Sequence, residues 1–89
     1  MNFTWDPSKA ASNKKKHGVT FEEAATVFAD PLALAIQDEV HEERTLLLGL
    51  SERVRVLLVV HVELDDDTVR LITARRATAH ERRRYEEGE

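Results

Sequence analysis

A run of five apolar residues, Val56 to Val60, constrains the fold of this chain more than any other feature. Strand side chains alternate between the two faces of a sheet, so a strand that is apolar at successive positions has both faces covered. The run lies inside a strand predicted for residues 54–63, and it is far too short to span a membrane. The sequence therefore predicts a central strand inside a packed sheet.

The other strands are predicted from alternation and from the turn residues between them. Phe3 and Trp5 alternate with polar neighbours, which predicts a short, half-buried first strand. Apolar segments at residues 33–37, 45–50 and 69–74 predict three more strands.

Two helices are predicted between the first strand and the rest of the sheet. Asp6-Pro7 begins the first helix, as N-cap and first helical residue, and Gly18 ends it. Thr20 and Glu23 form a capping box at the start of the second helix, which Asp30-Pro31 stops.

A third helix is predicted at the end of the chain, after the last strand. Thr78 and Glu81 form its capping box, and it ends near Gly88. The element order is then β-α-α-β-β-β-β-α. This order predicts an α+β fold in which two N-terminal helices and one C-terminal helix pack on a single antiparallel sheet. At 89 residues, one domain spanning 1–89 is expected.

Composition narrows the classes of protein and of site. The chain has no cysteine, which excludes disulfides and thiolate metal sites. The N-terminal residues lack the basic start and apolar stretch of a signal peptide, so a cytoplasmic location is expected. No pair of histidines shows metal-ligand spacing together with a carboxylate, so we expect neither a metal site nor a cofactor.

Charge is distributed unevenly along the chain. The net charge is -4, and residues 30–67 hold ten acidic residues against three arginines. Residues 70–85, in contrast, hold six arginines and one glutamate at the junction of the last strand and last helix. Such a cluster favours an anion site, with nucleic-acid phosphate as the expected ligand. The alternative is a solvated, arginine-rich helix surface.

Two blocks of residues form long motifs that together span most of the chain. The first block reads Phe3-x-Trp5-Asp6-x-x-Lys9-x-x-x-Asn13-x-x-Lys16-His17-Gly18-Val19-x-Phe21-x-x-Ala24-x-x-x-Phe28-x-Asp30-Pro31. The second reads Arg70-x-Ile72-x-Ala74-Arg75-x-Ala77-Thr78-x-x-Glu81-Arg82-x-x-Tyr85. These blocks resemble the BrnT family of ribonuclease toxins from type II toxin–antitoxin pairs, and Glu43-Arg44 with a following Gly49 also fits. Two positions depart from the family pattern: Val62-Glu63-Leu64 stands where Thr-Glu-Arg is usual, and Thr73 where serine is common.

The resemblance implies a RelE-like fold and RNA cleavage that halts translation. It also implies a small BrnA-like antitoxin partner with a ribbon–helix–helix DNA-binding domain, in a complex with two toxins. Promoter DNA would be bound only through that antitoxin. The rival interpretation is a noncatalytic partner-binding module of the same fold, acting in an autorepressing DNA-binding complex. The cation missing at Leu64 favours this rival slightly.

RNA is cut without a metal ion when its own 2′-OH attacks the adjacent phosphate, which needs proton carriers and cations near that phosphate. We therefore predict catalytic and RNA-binding residues. The predicted catalytic residues are His17, Arg44, Arg70, Arg75, Glu81 and Tyr85, and the predicted RNA-binding residues are Lys9, Lys16, Arg76 and Arg82.

Four of these residues have alternative roles. His17 handles a proton or caps a helix, and Arg70 binds phosphate or pairs with Glu63. Glu81 acts as a base, orients Arg75 or only caps its helix. Tyr85 stacks on a base, donates to a phosphate or docks the last helix on the sheet.

Overall fold

The computed structural model describes residues 1–88 and shows an α+β fold with a five-stranded sheet. In spatial order the strands run β1-β5-β4-β3-β2. The strands are β1 (Asn2–Thr4), β2 (Leu34–Gln37), β3 (Arg44–Leu50), β4 (Val56–Asp65) and β5 (Thr68–Arg76). The helices are α1 (Pro7–His17), α2 (Phe21–Thr26) and α3 (Ala79–Glu87), and a 3₁₀ helix, Val27–Ala29, follows α2. No helix within these residues is long and apolar enough to cross a membrane.

The sheet is mixed, so the prediction of a purely antiparallel sheet is wrong. β1 pairs with β5 in parallel, with Phe3 opposite Val69, whereas the other three pairings are antiparallel. Alternation of apolar residues gives the exposed and buried faces of a strand but not its direction. The long connection between β1 and β5, which includes α1 and α2, allows the parallel pairing.

The first two helices begin where their caps predict. The Asp6 carboxylate accepts from Ser8 N at 2.8 Å, and Gly18 closes α1 with a left-handed φ of 69°. The Thr20 hydroxyl accepts from Glu23 N at 3.0 Å. The reciprocal half of the predicted capping box is wrong, because the Glu23 side chain turns into the protein.

The inward-facing Glu23 joins α2 to the turn between β3 and β4. It accepts hydrogen bonds from the Ser51 hydroxyl and from both Nε and Nη2 of Arg55. Arg55 also donates to the carbonyl of Gly18 at 3.2 Å. The two carboxylate oxygens of Glu23 therefore hold one end of the helical layer against the sheet.

The hydrophobic core lies between the sheet and the layer formed by α1 and α2. Its buried members are Val19, Phe21, Ala24, Val27, Leu57, Val59, Val69, Leu71 and Ala74. Leu58 lies between the core residues Leu57 and Val59 on β4, so its side chain points to the other face of the sheet. Leu58 is nevertheless only 7% exposed. β4 is thus buried on both faces, as its apolar run predicts.

One irregularity in β5 decides which face its arginines occupy. β4 and β5 pair Val60 with Thr73 but His61 with Leu71, so β5 carries one extra residue, Ile72. Such a bulge reverses the alternation of side chains beyond it.

Candidate functional site

The face of the sheet opposite α1 and α2 carries three predicted phosphate-binding residues, Arg44, Arg70 and Arg75. Two of them, Arg44 on β3 and Arg70 on β5, lie in one row on either side of Val62 on β4. Arg44 and Arg70 are two strand spacings apart, about 10 Å. Glu63 lies opposite Val69 and therefore on the other face, which argues against the alternative Arg70–Glu63 pair.

The bulge brings Arg75 to the same face. In a regular strand, residues five apart point to opposite faces of the sheet. Here Arg70 pairs with Val62 on β4, and Arg75 pairs with Leu58. Val62 and Leu58 are four apart on β4 and share a face. We call the surface formed by Arg44, Arg70, Thr73 and Arg75 the arginine face.

Arg75 is held by Glu81 across the junction of β5 and α3. Nη1 of Arg75 donates to Oε1 at 2.8 Å, and Nη2 donates to Oε2 at 2.9 Å. Glu81 also completes the α3 capping box, which the sequence predicts, by accepting from Thr78 N. The pKa of Glu81 is lowered, mainly because Arg75 donates to it, so Glu81 is ionised at neutral pH.

One edge of the Arg75 guanidinium keeps two donors. Its other Nη1 hydrogen is donated to the carbonyl of Arg76 at 3.2 Å, so within residues 1–88 three of its five N–H groups are engaged. The Nε hydrogen and the second Nη2 hydrogen lie side by side on the remaining edge. This paired geometry fits two oxygens of a phosphate, and 36% of the Arg75 side chain is exposed.

The hydroxyl of Tyr85 is engaged within the protein. It donates to Oδ2 of Asp30 at 2.6 Å, which raises the pKa of Tyr85 to about 12. Tyr85 thereby ties α3 to the turn that follows the 3₁₀ helix, whereas the docking role predicted from the sequence is against the sheet.

A groove beside α1 brings together three other predicted residues, Lys9, Lys16 and His17. Its volume is about 280 Å³, and it is lined by Lys9, Ser12, Asn13, Lys16, His17, Ile72 and Thr73. Lys9, Lys16 and His17 thus share one site, and Thr73 belongs both to this groove and to the arginine face. Thr73 and Arg75 are two residues apart, about 7 Å along the strand.

The groove exists because the edge of β5 is open there. β1 pairs only as far as Arg70, and beyond it Asn13 takes the place of a neighbouring strand. The Asn13 amide donates to the carbonyl of Ala74 at 2.8 Å and accepts from its N–H at 3.1 Å. Asn13 is only 7% exposed, and these hydrogen bonds give it a structural role.

The remaining predicted residues lie outside these two groups. Arg76 is opposite Leu57, so it lies on the face away from Arg75, and Arg82 is exposed on α3. Leu64, the departure from the family pattern, is 53% exposed near the end of β4. In residues 1–88, no group of three or more histidine or acidic side chains has an arrangement that could hold a metal ion.

Comparison with known proteins identifies the family. The family model described as "Ribonuclease toxin, BrnT, of type II toxin-antitoxin system" matches residues 5–81, most of the chain. The chain belongs to the BrnT family. A BrnT toxin is a ribonuclease toxin, and its type II class implies an antitoxin partner. No curated protein matches the chain.

A solved BrnT structure supports the fold. The chain is similar to the crystal structure of the Brucella abortus ribonuclease toxin, BrnT, with a TM-score of 0.72 and 20% identity. The match covers 88% of this chain and 97% of that one. The α+β architecture of this BrnT family member is therefore that of a solved toxin.

Proposed function

We propose that this BrnT family member is an endoribonuclease that cuts RNA by attack of the 2′-OH on the adjacent phosphate, without a metal ion, and so inhibits translation. The observation that carries the proposal is the free edge of Arg75, which Glu81 orients and which retains two parallel donors on the arginine face. A preorganised cation of this kind stabilises the charge that develops on a phosphate in the transition state.

RNA would cross the open edge of β5. Thr73 belongs to both the arginine face and the α1 groove, so one strand of RNA could contact both. Arg75 would bind the phosphate that reacts, and Lys9 and Lys16 its neighbours on the α1 side. Arg44 and Arg70, at the other end of the arginine face, would bind more distant phosphates.

His17 is the proposed proton carrier. It is half-buried in the α1 groove beside Thr73. The reaction removes a proton from the 2′-OH and gives one to the departing 5′-oxygen, and an imidazole serves either step near neutral pH. Glu81 is assigned to orienting Arg75 rather than to proton transfer, because both of its oxygens accept from Arg75 and its lowered pKa makes it a weak base. Tyr85, whose hydroxyl is engaged by Asp30, is assigned to docking α3.

The proposed partner is a BrnA-like, ribbon–helix–helix antitoxin that neutralises the enzyme and carries its promoter binding. The cationic residues 70–85 offer a surface for partner carboxylates. A noncatalytic module that only binds this partner is the second candidate function, favoured by Leu64 at a position where the family usually has arginine.

Cleavage of RNA by the purified protein decides between the two. The wild type should cut single-stranded RNA, and expression without antitoxin should arrest bacterial growth. Arg75→Ala and His17→Ala should be folded and slow, by about a hundredfold and at least about tenfold. A matched control is Arg53→Ala in the turn between β3 and β4. A wild-type protein that binds antitoxin but leaves both RNA and growth unaffected would establish the noncatalytic alternative.

A further inference from the structure

Asp30 joins three separate parts of the chain through one carboxylate. Its Oδ1 accepts from Leu32 N at 2.9 Å, and its Oδ2 accepts from Leu50 N at 2.8 Å and from the Tyr85 hydroxyl at 2.6 Å. These donors belong to the turn before β2, the end of β3 and helix α3. The two backbone N–H groups fix the orientation of the carboxylate that accepts from Tyr85.

Gly49 leaves the space that this carboxylate occupies. A Cβ added at Gly49 would lie 2.8 Å from a Val27 methyl, 2.9 Å from Ala33 Cβ and 3.2 Å from Oδ2 of Asp30. A side chain at this position would therefore crowd the carboxylate.

Helix α3 depends on such contacts for its position. None of its residues is fully buried, and its one aromatic side chain, Tyr85, is half-buried. Tyr85 and Glu81 are four residues apart and lie on one face of the helix. The turn of α3 that Asp30 holds is thus next to the turn that carries the carboxylate bound to Arg75.

We propose that Asp30 is a positioning residue of the RNA-cleaving site, acting through Tyr85 and α3 on the Glu81–Arg75 pair. The inference rests on the proposed ribonuclease function. Asp30 touches no RNA in this scheme. It fixes the helix that fixes the guanidinium, and a displacement of about 1 Å at such a donor costs up to about a hundredfold in rate.

Two variants test the link from its two ends. Asp30→Asn replaces one acceptor oxygen by an NH₂ group, which cannot accept from Leu50 N and Tyr85 as the carboxylate does. Tyr85→Phe removes only the hydroxyl oxygen and keeps the ring, so it tests the link even if the Asp30 variant does not fold. Each should lower kcat by at least about tenfold and change KM by less than about twofold. The double variant should be no slower than either single variant, because both changes break one link.

Tyr85 is the only tyrosine in the sequence, so ultraviolet absorbance of phenolate reports this residue alone. In the wild type the phenol pKa should be about 12, and in Asp30→Asn it should fall toward the ordinary value of 10.0. Asp65→Asn is the matched control, since Asp65 accepts a backbone N–H from Asp67 in an exposed turn away from α3. The control should change neither kcat nor the phenol titration.

The outcomes separate this inference from the proposed function. If the wild type cuts RNA and Arg75→Ala does not, but folded Asp30→Asn and Tyr85→Phe keep the parental kcat, the positioning role is overturned and the ribonuclease remains. Losses that multiply in the double variant would also overturn it, because they would show two independent effects. A wild type that does not cut RNA would overturn the proposed function, and the positioning role with it.

Discussion

Arg75 and Glu81 form a two-bond ion pair that closes one edge of the guanidinium, at 2.8 and 2.9 Å, and leaves the adjacent edge with its donors. The pair spans the point where β5 ends and α3 begins. A carboxylate within a proposed phosphate site is compatible with phosphate binding, because Glu81 fixes the direction of the guanidinium and occupies only some of its N–H donors.

Arg75→Lys separates charge from geometry. Lysine keeps the positive charge but has no planar fork, so it cannot bind Glu81 and a phosphate along two edges at once. We expect RNA cleavage to fall by about a hundredfold, nearly as far as in Arg75→Ala. Single-turnover cleavage rates at saturating protein measure this directly. A lysine variant with the parental rate would show that charge alone suffices.

Chelation tests the proposed chemistry. If cations and a proton carrier of the chain itself drive the reaction, cleavage should survive EDTA and leave a 2′,3′-cyclic phosphate or its 3′-phosphate product. Mass spectrometry of the cleaved fragments identifies the ends. Loss of all activity in EDTA, restored by magnesium, would contradict a metal-independent mechanism.

The antitoxin complex tests the proposed partner. A ribbon–helix–helix antitoxin is a dimer, so the purified complex should contain two toxins and be heavier than a one-to-one pair. Carboxylates of the antitoxin should cover the junction around Arg75, and saturating antitoxin should abolish cleavage. Native mass spectrometry and a cleavage competition measure the two claims separately. A one-to-one mass removes the dimer, and cleavage in the saturated complex removes neutralisation.

The sequence predicts the elements of this fold better than their relations in space. Caps such as Asp6 and Thr78 act over three or four residues, so the helix starts can be read locally. The direction of β1 and the bulge at Ile72 depend on partners far along the chain. Regular alternation would place Arg70 and Arg75 on opposite faces, so their shared face cannot be predicted from the sequence without knowing of the bulge.

In the candidate site, too, contacts between residues close in the sequence can be predicted and contacts between distant residues cannot. Arg75 and Glu81 are only six residues apart, and the sequence predicts their contact as one of three alternative roles for Glu81. The Tyr85–Asp30 bond joins residues 55 positions apart, and no local pattern indicates it. Glu23 fits a capping-box pattern, yet it accepts from Arg55 and Ser51 instead of from the backbone N–H that the pattern assigns to it.

His61 should make the protein less stable in mild acid. It is 3% exposed, packs against the Phe28 ring, and its Nδ1 has no hydrogen-bond partner in residues 1–88. Burial lowers the pKa of His61 below the ordinary value of 6.5, with Glu63 opposing the shift. Protonation therefore favours the unfolded state: stability is complete above about pH 6.5 and falls as the pH drops toward the lower folded pKa.

Thermal unfolding from about pH 8 to about pH 5 measures this effect. The carboxylates with lowered pKa values, Glu23 and Glu81 among them, lose their contribution only nearer their own ordinary value of 4.5. His61→Leu should flatten the profile between about pH 6.5 and 5, whereas the exposed control His80→Gln should keep it. An unchanged profile in His61→Leu would assign the loss to other groups.

Removing Arg55 and removing Glu23 should lower the free energy of unfolding by different amounts. The Glu23 side chain is 2% exposed and that of Arg55 is 20% exposed, so only Arg55 can turn to water when its partner is lost. Arg55→Met leaves a buried carboxylate with only Ser51 as side-chain donor, and should lower the free energy of unfolding by about 3 kcal/mol.

Glu23→Gln should cost clearly less than Arg55→Met, because the arginine that it leaves unpaired is partly hydrated. The double variant Glu23→Leu with Arg55→Met should recover most of the loss, since no charge then remains in the buried position. Urea unfolding of the wild type, the three variants and an exposed control on α3, Arg83→Met, compares their free energies of unfolding. Equal losses in the two single variants would show that burial of Glu23 does not set the energy of this pair.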